Sequence, residues 1–160
     1  MNEEIANEPL PAQNGVQVTL QTVYLKDSSY ESPNGPRLPP NQAWEPKFQL
    51  NMNTSAEEIA ADVREVSLTI TLEAKQGEAT MYLVEVKQAG VFAIVGASAD
   101  DLKRLIGSFC PSVLFPYARE VVSDLITKGG FPNFLLPLVN FDALYQQAAE
   151  SGQTQTGTVN

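Results

Sequence analysis

The sequence alternates most regularly at Glu65-Val66-Ser67-Leu68-Thr69-Ile70-Thr71-Leu72-Glu73-Ala74-Lys75. Every second side chain in this stretch is apolar, and the side chains between them are polar or charged. Successive side chains of a β-strand point to opposite faces, so a period of two indicates a strand with one buried and one wetted face. That pattern is typical of an antiparallel sheet, and the rest of the fold is built around it.

Three further segments extend this sheet, at residues 16–31, 47–53 and 79–95. The first alternates with Val16, Val18, Leu20, Thr22 and Tyr24 on one face. Gln76-Gly77-Glu78 predicts a tight turn before the last strand. Residues 33–46 hold five prolines, which exclude both helix and sheet ladder, so they predict a long crossover loop. Loops of this length inside a compact domain are usually functional.

Helical spacing replaces the strand period after Gly96. Ser98 and Asp101 form a variant of the capping box, and apolar residues then recur every three or four positions to Phe109. Pro111 and Pro116 predict a break or kink, after which helical spacing continues to Ile126. A short last helix is predicted at residues 141–149, after an extended connector. The fold class is therefore α+β: a four-stranded antiparallel sheet with a long kinked helix and a short C-terminal helix packed on one face.

Composition narrows the classes of function. The chain has 160 residues, enough for one domain, with 10 Lys and Arg against 19 Asp and Glu, a net charge of −9. This balance disfavours nucleic acid and anionic lipid as partners, because both are bound by clustered cations. The single cysteine suits a reducing compartment. The acidic start, Met1-Asn2-Glu3-Glu4, and the lack of a long apolar run in the sequence predict neither a signal peptide nor a membrane span. We expect a cytoplasmic protein that does not insert into the membrane.

Catalytic and metal-binding motifs are lacking. The chain contains no histidine, so imidazole catalysis and His-ligated metals are excluded, and no phosphate-binding glycine motif occurs. Cys110 beside Phe109 is better explained as a small core residue than as a nucleophile. The carboxylate pairs Glu57-Glu58 and Asp100-Asp101 are explained by solvation and helix capping, respectively. We expect neither an enzyme nor a bound cofactor or metal.

The apolar side chains exceed what one small sheet can cover. They lie on or beside proline-rich or kinked backbone, at Trp44, Phe48, Phe109, Phe115, Tyr117, Phe131, Phe134, Leu135 and Leu136. Such residues are more often core than binding platform. A surplus of apolar surface nevertheless predicts subunit association, a groove for apolar ligands, or both.

Three longer stretches resemble one known family. They are Tyr24-Leu25-Lys26-Asp27-Ser28-Ser29-Tyr30-Glu31-Ser32-Pro33-Asn34-Gly35-Pro36, then Cys110-Pro111-Ser112-Val113-Leu114-Phe115-Pro116-Tyr117-Ala118-Arg119-Glu120, and Val139-Asn140-Phe141-Asp142-Ala143-Leu144. They are similar in order and spacing to the signature segments of SecB, the bacterial protein-export chaperone family. The resemblance covers roughly residues 16–148. The family often carries a proline immediately before the Val-Asn-Phe-Asp run, whereas here Leu138 separates Pro137 from Val139. The family's C-terminal tail is frequently acidic, whereas residues 151–160 here carry no charged side chain.

The resemblance implies an ATP-independent holdase that keeps precursor proteins unfolded and delivers them to the SecA motor. It also implies a homotetramer, a dimer of dimers with its long helices layered between two eight-stranded sheets. The domain would span residues 16–149, between a flexible N-terminal arm (1–15) and a flexible polar tail (150–160). The SecA contact would fall on Asp27, Glu31, Leu83 and Glu85. The client groove would be lined by Trp44, Phe48, Phe115 and Phe134, together with Tyr30 and Phe131.

Two alternatives remain open at this point. A SecB-like chaperone could serve a toxin–antitoxin system, with one specific antitoxin as its client. A small enzyme working with carboxylates alone is the other, and the missing histidine and motifs disfavour it.

Overall fold

The computed structural model describes residues 15–151 and the backbone of residues 156–159. Four long strands form an antiparallel sheet in the order β1-β4-β3-β2, and they are β1 (Gln17–Glu31), β2 (Lys47–Ala60), β3 (Val63–Gln76) and β4 (Ala79–Val95). The predicted four-stranded antiparallel sheet is thereby confirmed, with a second strand longer than expected. A short β5 (Thr156–Val159), which the sequence did not predict, pairs with the outer edge of β2. Apart from Gly15, the predicted N-terminal arm lies outside the described residues.

The crossover loop, residues 32–46, is long because of this strand order. β1 and β2 stand on opposite sides of the β3–β4 pair, so the chain must pass the end of the sheet to connect them. The other two connections are tight turns, at Asp62 (φ 59°) and Gly77 (φ 62°). The loop begins beside the start of β4, where Ser32 donates a hydrogen bond to the Met81 carbonyl at 2.8 Å.

The helical segment runs without interruption from residue 99 to residue 128. It consists of α1 (Ala99–Arg104), a π-helical turn (Leu105–Phe109) and α2 (Cys110–Lys128), and Ser98 caps its start by accepting a hydrogen bond from the Asp101 amide. The predicted break at Pro111 and Pro116 does not occur. The irregularity is the π-helical turn just before Pro111, where the Cys110 amide reaches back to the Leu105 carbonyl.

Two faces of the sheet follow from the register. The side of the sheet that bears the cross-strand partners Leu72 and Val84 is called the helix face. The opposite side, which bears the partners Glu73 and Leu83, is called the outer face. α2 packs on β4 and β3 across the helix face. The approach is close at Gly90, where a Cβ atom would lie 3.0 Å from Leu114 Cδ2.

The core lies between this helix and the sheet. It includes the fully buried side chains Val66, Leu68, Ile70, Leu72, Val84, Val86, Phe92, Leu114, Val122 and Ile126. The C-terminal helix α3 (Phe141–Ser151) packs against the π-helical turn, with Asp142 paired to Arg104 at 3.1 Å.

Candidate functional site

The outer face brings together the four residues that the resemblance assigned to a motor contact. Glu31 is the cross-strand partner of Leu83, and Ser29 is the partner of Glu85, so these side chains occupy adjacent rows of β1 and β4. Asp27 stands one row further on, opposite Lys87. The four residues therefore form one contiguous patch, exposed at Asp27, Glu31 and Glu85.

Two β-bulges in β1 produce this arrangement. The pairing with β4 shifts between Leu20 and Thr22 and again between Leu25 and Asp27. Each bulge inserts one extra residue and reverses the alternation. The predicted single face from Val16 to Tyr24 is consequently wrong beyond Leu20, because Thr22 and Tyr24 lie on the outer face. Bulges leave no periodic signal in the sequence, so the facing of Asp27 and Glu31 could not be derived from it.

Strand β3 adds a carboxylate that the sequence reasoning missed. Glu73 is the cross-strand partner of Leu83, and Thr71 is the partner of Glu85. Thr71 donates a hydrogen bond to the Glu85 carboxylate at 3.3 Å, and Thr80 donates one to Glu73 at 2.9 Å. Leu83 thus sits between Glu31 and Glu73, and we call Asp27, Glu31, Leu83, Glu85 and Glu73 the outer patch.

A polar network lies on the same face beside the outer patch. The Tyr24 hydroxyl and the Lys26 ammonium both donate hydrogen bonds to the Glu65 carboxylate, reaching across the intervening strand β4. The hydrogen bonds from Lys26 and Tyr24 lower the pKa of Glu65, and the bond to Glu65 raises the pKa of Tyr24 to about 12. Glu65 therefore ties β1 to β3, and its charge is already balanced within the chain.

On the helix face, four aromatic rings from four segments meet at the end of the sheet. Tyr82 of β4 is central: its ring centroid lies 4.9 Å from that of Phe131, 6.4 Å from Trp44 and 6.5 Å from Tyr30. Trp44 and Phe131 are themselves 5.2 Å apart. The sequence reasoning proposed three of these residues but missed Tyr82, because its strand alternation marks it only as a core position.

A second aromatic pair continues this surface. Phe48 and Phe134 stack with centroids 4.1 Å apart and planes 20° from parallel. Phe48 of β2 is the cross-strand partner of Ala74 of β3, and Ala74 is the partner of Tyr82 of β4. One strand, β3, therefore separates Phe48 from Tyr82. Phe48, Phe134 and Trp44 are all half-buried. We call these six residues, Tyr30, Trp44, Phe48, Tyr82, Phe131 and Phe134, the aromatic surface.

Phe115 has different surroundings from the other predicted groove residues. It is 5% exposed on α2, and its nearest described ring is Phe141 at 5.7 Å, in an edge-on contact. The Arg119 guanidinium lies over the Phe115 ring, 5.8 Å from its centroid. The structure therefore brings five of the six predicted groove residues to the aromatic surface and places Phe115 between α2 and α3.

A third surface lies beside α2 on the helix face. Leu25 and Tyr117 are 46% and 51% exposed, and they line a cleft between β1 and α2. Gln88 opens into the same cleft from β4, and its side-chain oxygen is buried without a hydrogen-bond partner in residues 15–151. We call Val23, Leu25, Gln88, Tyr117 and Val121 the helix-side strip.

The described residues offer little for catalysis. Burial raises the pKa of the Cys110 thiol to about 12, so it carries almost no thiolate at neutral pH. Within residues 15–151, no three His, Cys, Asp or Glu side chains are grouped so that they could hold a metal ion. None of the described helices is both long and apolar enough to cross a membrane.

Comparison with known proteins gives a consistent result. The sequence model of the SecB family, described as "Preprotein translocase subunit SecB", matches residues 11–152. The protein-export protein SecB of Nitrosococcus oceani is 46% identical over 156 residues, covering 96% of this chain and 95% of that relative. The protein of the same name from Legionella pneumophila strain Corby is 48% identical over 141 residues, covering 88% of this chain and 86% of that relative.

A solved structure shares the fold. It is a SecB-like chaperone of Mycobacterium tuberculosis in complex with a ChAD peptide from the HigA1 antitoxin. The TM-score is 0.65 at 17% sequence identity, with 76% of this chain and 90% of that chain covered. At this identity the likeness supports the α+β fold of the sheet and helices.

Proposed function

This chain belongs to the SecB family, and on that premise we propose that it is an ATP-independent holdase that binds unfolded precursor proteins and delivers them to the SecA motor. SecB proteins are protein-export chaperones and not enzymes, so the prediction of a binding protein without turnover is confirmed. We place its action in the cytoplasm, before the precursor reaches the membrane.

The aromatic surface carries the proposal for client binding. A chaperone with many clients needs adaptable apolar area, and each apolar side chain that it buries contributes about 1.5–3 kcal/mol. Ordering an unfolded client costs several kcal/mol, so a single surface would bind weakly. The half-buried rings of Trp44, Phe48 and Phe134 offer such area next to the exposed Leu135 and Leu138 of the connector.

The helix-side strip supports self-association into a homotetramer, a dimer of dimers. Leu25 and Tyr117 are large apolar side chains that a monomer leaves in water, and Gln88 lacks a partner among the described residues. A second copy packed along α2 would cover the first two and offer hydrogen bonds to the third. Several linked client surfaces also raise the effective concentration for each further contact. Static light scattering should give about four times the subunit mass of 17.4 kDa.

The outer patch supports the contact with SecA. The outer patch holds four carboxylates beside Leu83 on a surface that no described helix covers. Two cations lie next to them: Lys87 is opposite Asp27, and Lys75 pairs with Glu73 at 3.6 Å. Such a patch attracts a basic element with an apolar residue at its centre. Exposed charges are screened beyond about 8 Å at physiological ionic strength, so the association should weaken with salt.

Export is favoured over service to one antitoxin. The relatives at 46–48% identity are protein-export proteins, whereas the antitoxin-bound structure shares 17% of its sequence with this chain.

Suppression of aggregation tests the proposal directly. An unfolded precursor is diluted with increasing amounts of the chain, without nucleotide, and light scattering is followed. Suppression should saturate at a fixed ratio of subunits to precursor, and added ATP should change nothing. Phe134→Ser should weaken the effect, while Ile59→Ser, a matched change at a 53% exposed position on the distant end of β2, should not. An unsuppressed signal, or one that depends on ATP, would refute the holdase.

A further inference from the structure

Two phenol hydroxyls are buried in the aromatic surface without a hydrogen-bond partner among the described residues. The Tyr30 and Tyr82 hydroxyl oxygens are both enclosed, and neither has a hydrogen bond to any atom of residues 15–151. Tyr82 is 0% exposed, and burial, followed by the nearby Tyr30, raises the pKa of its phenol above the ordinary value. The Tyr82 hydroxyl is therefore a protonated donor at neutral pH. Buried polar groups are nearly always paired, so two unpaired hydroxyls at one place require an explanation.

The end of α2 accommodates one of these hydroxyls without bonding it. The Tyr30 oxygen would lie 1.9 Å from a Cβ atom at Gly129, so it occupies space that only glycine leaves free. The last helical carbonyls nearby already accept main-chain hydrogen bonds: Gly129 donates to Leu125, Gly130 to Thr127 and Phe131 to Ile126. The helix end thus leaves room for the Tyr30 hydroxyl, and its Leu125, Ile126 and Thr127 carbonyls are engaged by the backbone of the chain itself.

The crossover loop packs an apolar ring against the ring of Tyr82. Trp44 packs on Tyr82 and Phe131. The loop around it is fastened mainly by one side chain, because Gln76 donates to the Ala43 carbonyl at 2.9 Å and accepts from the Glu45 amide at 3.0 Å. A segment of polypeptide could therefore replace Trp44 at a modest loss of contacts.

We propose that the Tyr30 and Tyr82 hydroxyls donate hydrogen bonds to main-chain carbonyls of an extended client segment that takes the place of Trp44 over the aromatic surface. This inference rests on the proposed holdase function and specifies its chemistry. Every unfolded client has main-chain carbonyls whatever its sequence, so two fixed donors within an apolar surface serve all clients alike. With Trp44 in place, both hydroxyls lack a hydrogen-bond partner among the described residues, and a bound client would supply one to each. The hydrogen bonds gained therefore favour client binding.

The test is the double variant Tyr30→Phe, Tyr82→Phe, which removes both hydroxyls and keeps both rings. Affinity for reduced, carboxyamidomethylated α-lactalbumin, a permanently unfolded probe, should fall about thirtyfold, the equivalent of two ordinary hydrogen bonds. The thermal midpoint of the free protein should stay the same or rise, because the variant no longer buries unpaired polar atoms. Tyr145→Phe on α3 is the matched control and should change neither quantity.

The opposite signs of these two effects distinguish the outcomes. An unchanged affinity of the double variant for the probe would overturn the inference. A lower affinity together with a lower thermal midpoint would overturn it too, because that combination marks a structural role of the hydroxyls. A wild-type protein that does not bind the probe would refute the holdase function itself. If the double variant does not fold, a second measurement uses two extended peptides. One has ordinary amides, and in the other alternate amides are replaced by esters, whose carbonyls are weaker hydrogen-bond acceptors. The affinity of each peptide is measured for the wild type and for Tyr30→Phe. The ester penalty should be smaller on the variant, and equal penalties would overturn the inference.

Discussion

Tyr82 and Leu83 are adjacent in β4, yet they belong to opposite faces of the sheet with different physical properties. Tyr82 is fully buried among three other rings, whereas Leu83 lies on the outer face between Glu31 and Glu73. The aromatic surface depends on packing, which salt hardly affects. The outer patch depends on exposed charge, which salt screens. One strand can thus present two surfaces of different chemistry, because its period of two places neighbouring residues on opposite faces.

This contrast predicts that the aromatic surface is coupled to folding and that the outer patch is not. Any ring of the aromatic surface that binds a client also contributes to the packing of β1, β4 and the connector. The carboxylates of the outer patch are cross-strand neighbours at the surface, and exposed charges contribute little to stability. Substitutions should separate the two cases in the following order of effect.

Tyr82→Ala should destabilise the protein by about 3–5 kcal/mol, because it removes a fully buried ring that contacts Trp44 and Phe131. Denaturant unfolding at one fixed protein concentration measures the loss. Leu83→Ala, the change at the neighbouring position, should cost no more than about 1 kcal/mol and should instead weaken the association with SecA. Comparable losses of stability at the two positions would contradict the separation of the faces.

Gly129→Ala should cost about 1–3 kcal/mol, since the new Cβ atom would overlap the Tyr30 ring and hydroxyl. Displacement of Tyr30 disturbs its contact with Tyr82 and, through it, Trp44. Trp44 is the single tryptophan of the chain, so its fluorescence reports on this surface without interference. Lys128→Ala, at an exposed position one residue earlier, is the control, and an emission spectrum unchanged by Gly129→Ala would show that the overlap is relieved elsewhere.

Most of the fold could be predicted from local sequence. Alternation across Glu65 to Lys75 identified a two-faced strand, and Ser98 with Asp101 identified the helix start, because both signals lie within a few residues. The π-helical turn was not predicted. Proline signals that a hydrogen bond is missing, but it does not determine whether the helix breaks or shifts its pairing to absorb the defect.

The candidate sites were predicted less completely, for a physical reason. Membership of a surface depends on register between strands, and register is set by bulges and packing rather than by any one segment. Glu73 therefore joined the outer patch only when its pairing with Leu83 was known. Tyr82 likewise appeared as an ordinary core residue until Trp44 and Phe131, distant in sequence, were seen against it.

Glu85→Lys should weaken the association with SecA about tenfold or more at low salt while leaving client holding unchanged. The substitution reverses one charge at the centre of the outer patch, opposite Ser29 and Thr71. Binding measured at rising ionic strength should show the difference between wild type and variant shrinking. Glu57→Lys makes the same change at an exposed position of β2 on the same face, three rows away along the sheet, and should have little effect. Parallel loss of client holding would show that Glu85 is structural.

Glu65→Gln should produce the smallest effect, and its pH dependence identifies the cause. Hydrogen bonds from Lys26 and Tyr24 lower the pKa of Glu65 in the folded chain, so its contribution to stability is present above the unfolded value of about 4.3 and is lost as pH falls through the folded value. The denaturation midpoint of the variant should lie slightly below that of the wild type at pH 7, and the two should converge in acid below pH 4. Glu57→Gln, whose side chain receives no such hydrogen bonds in the described residues, should track the wild type throughout. A gap of constant size from pH 7 to pH 3 would mean that Glu65 acts through packing rather than through its charge.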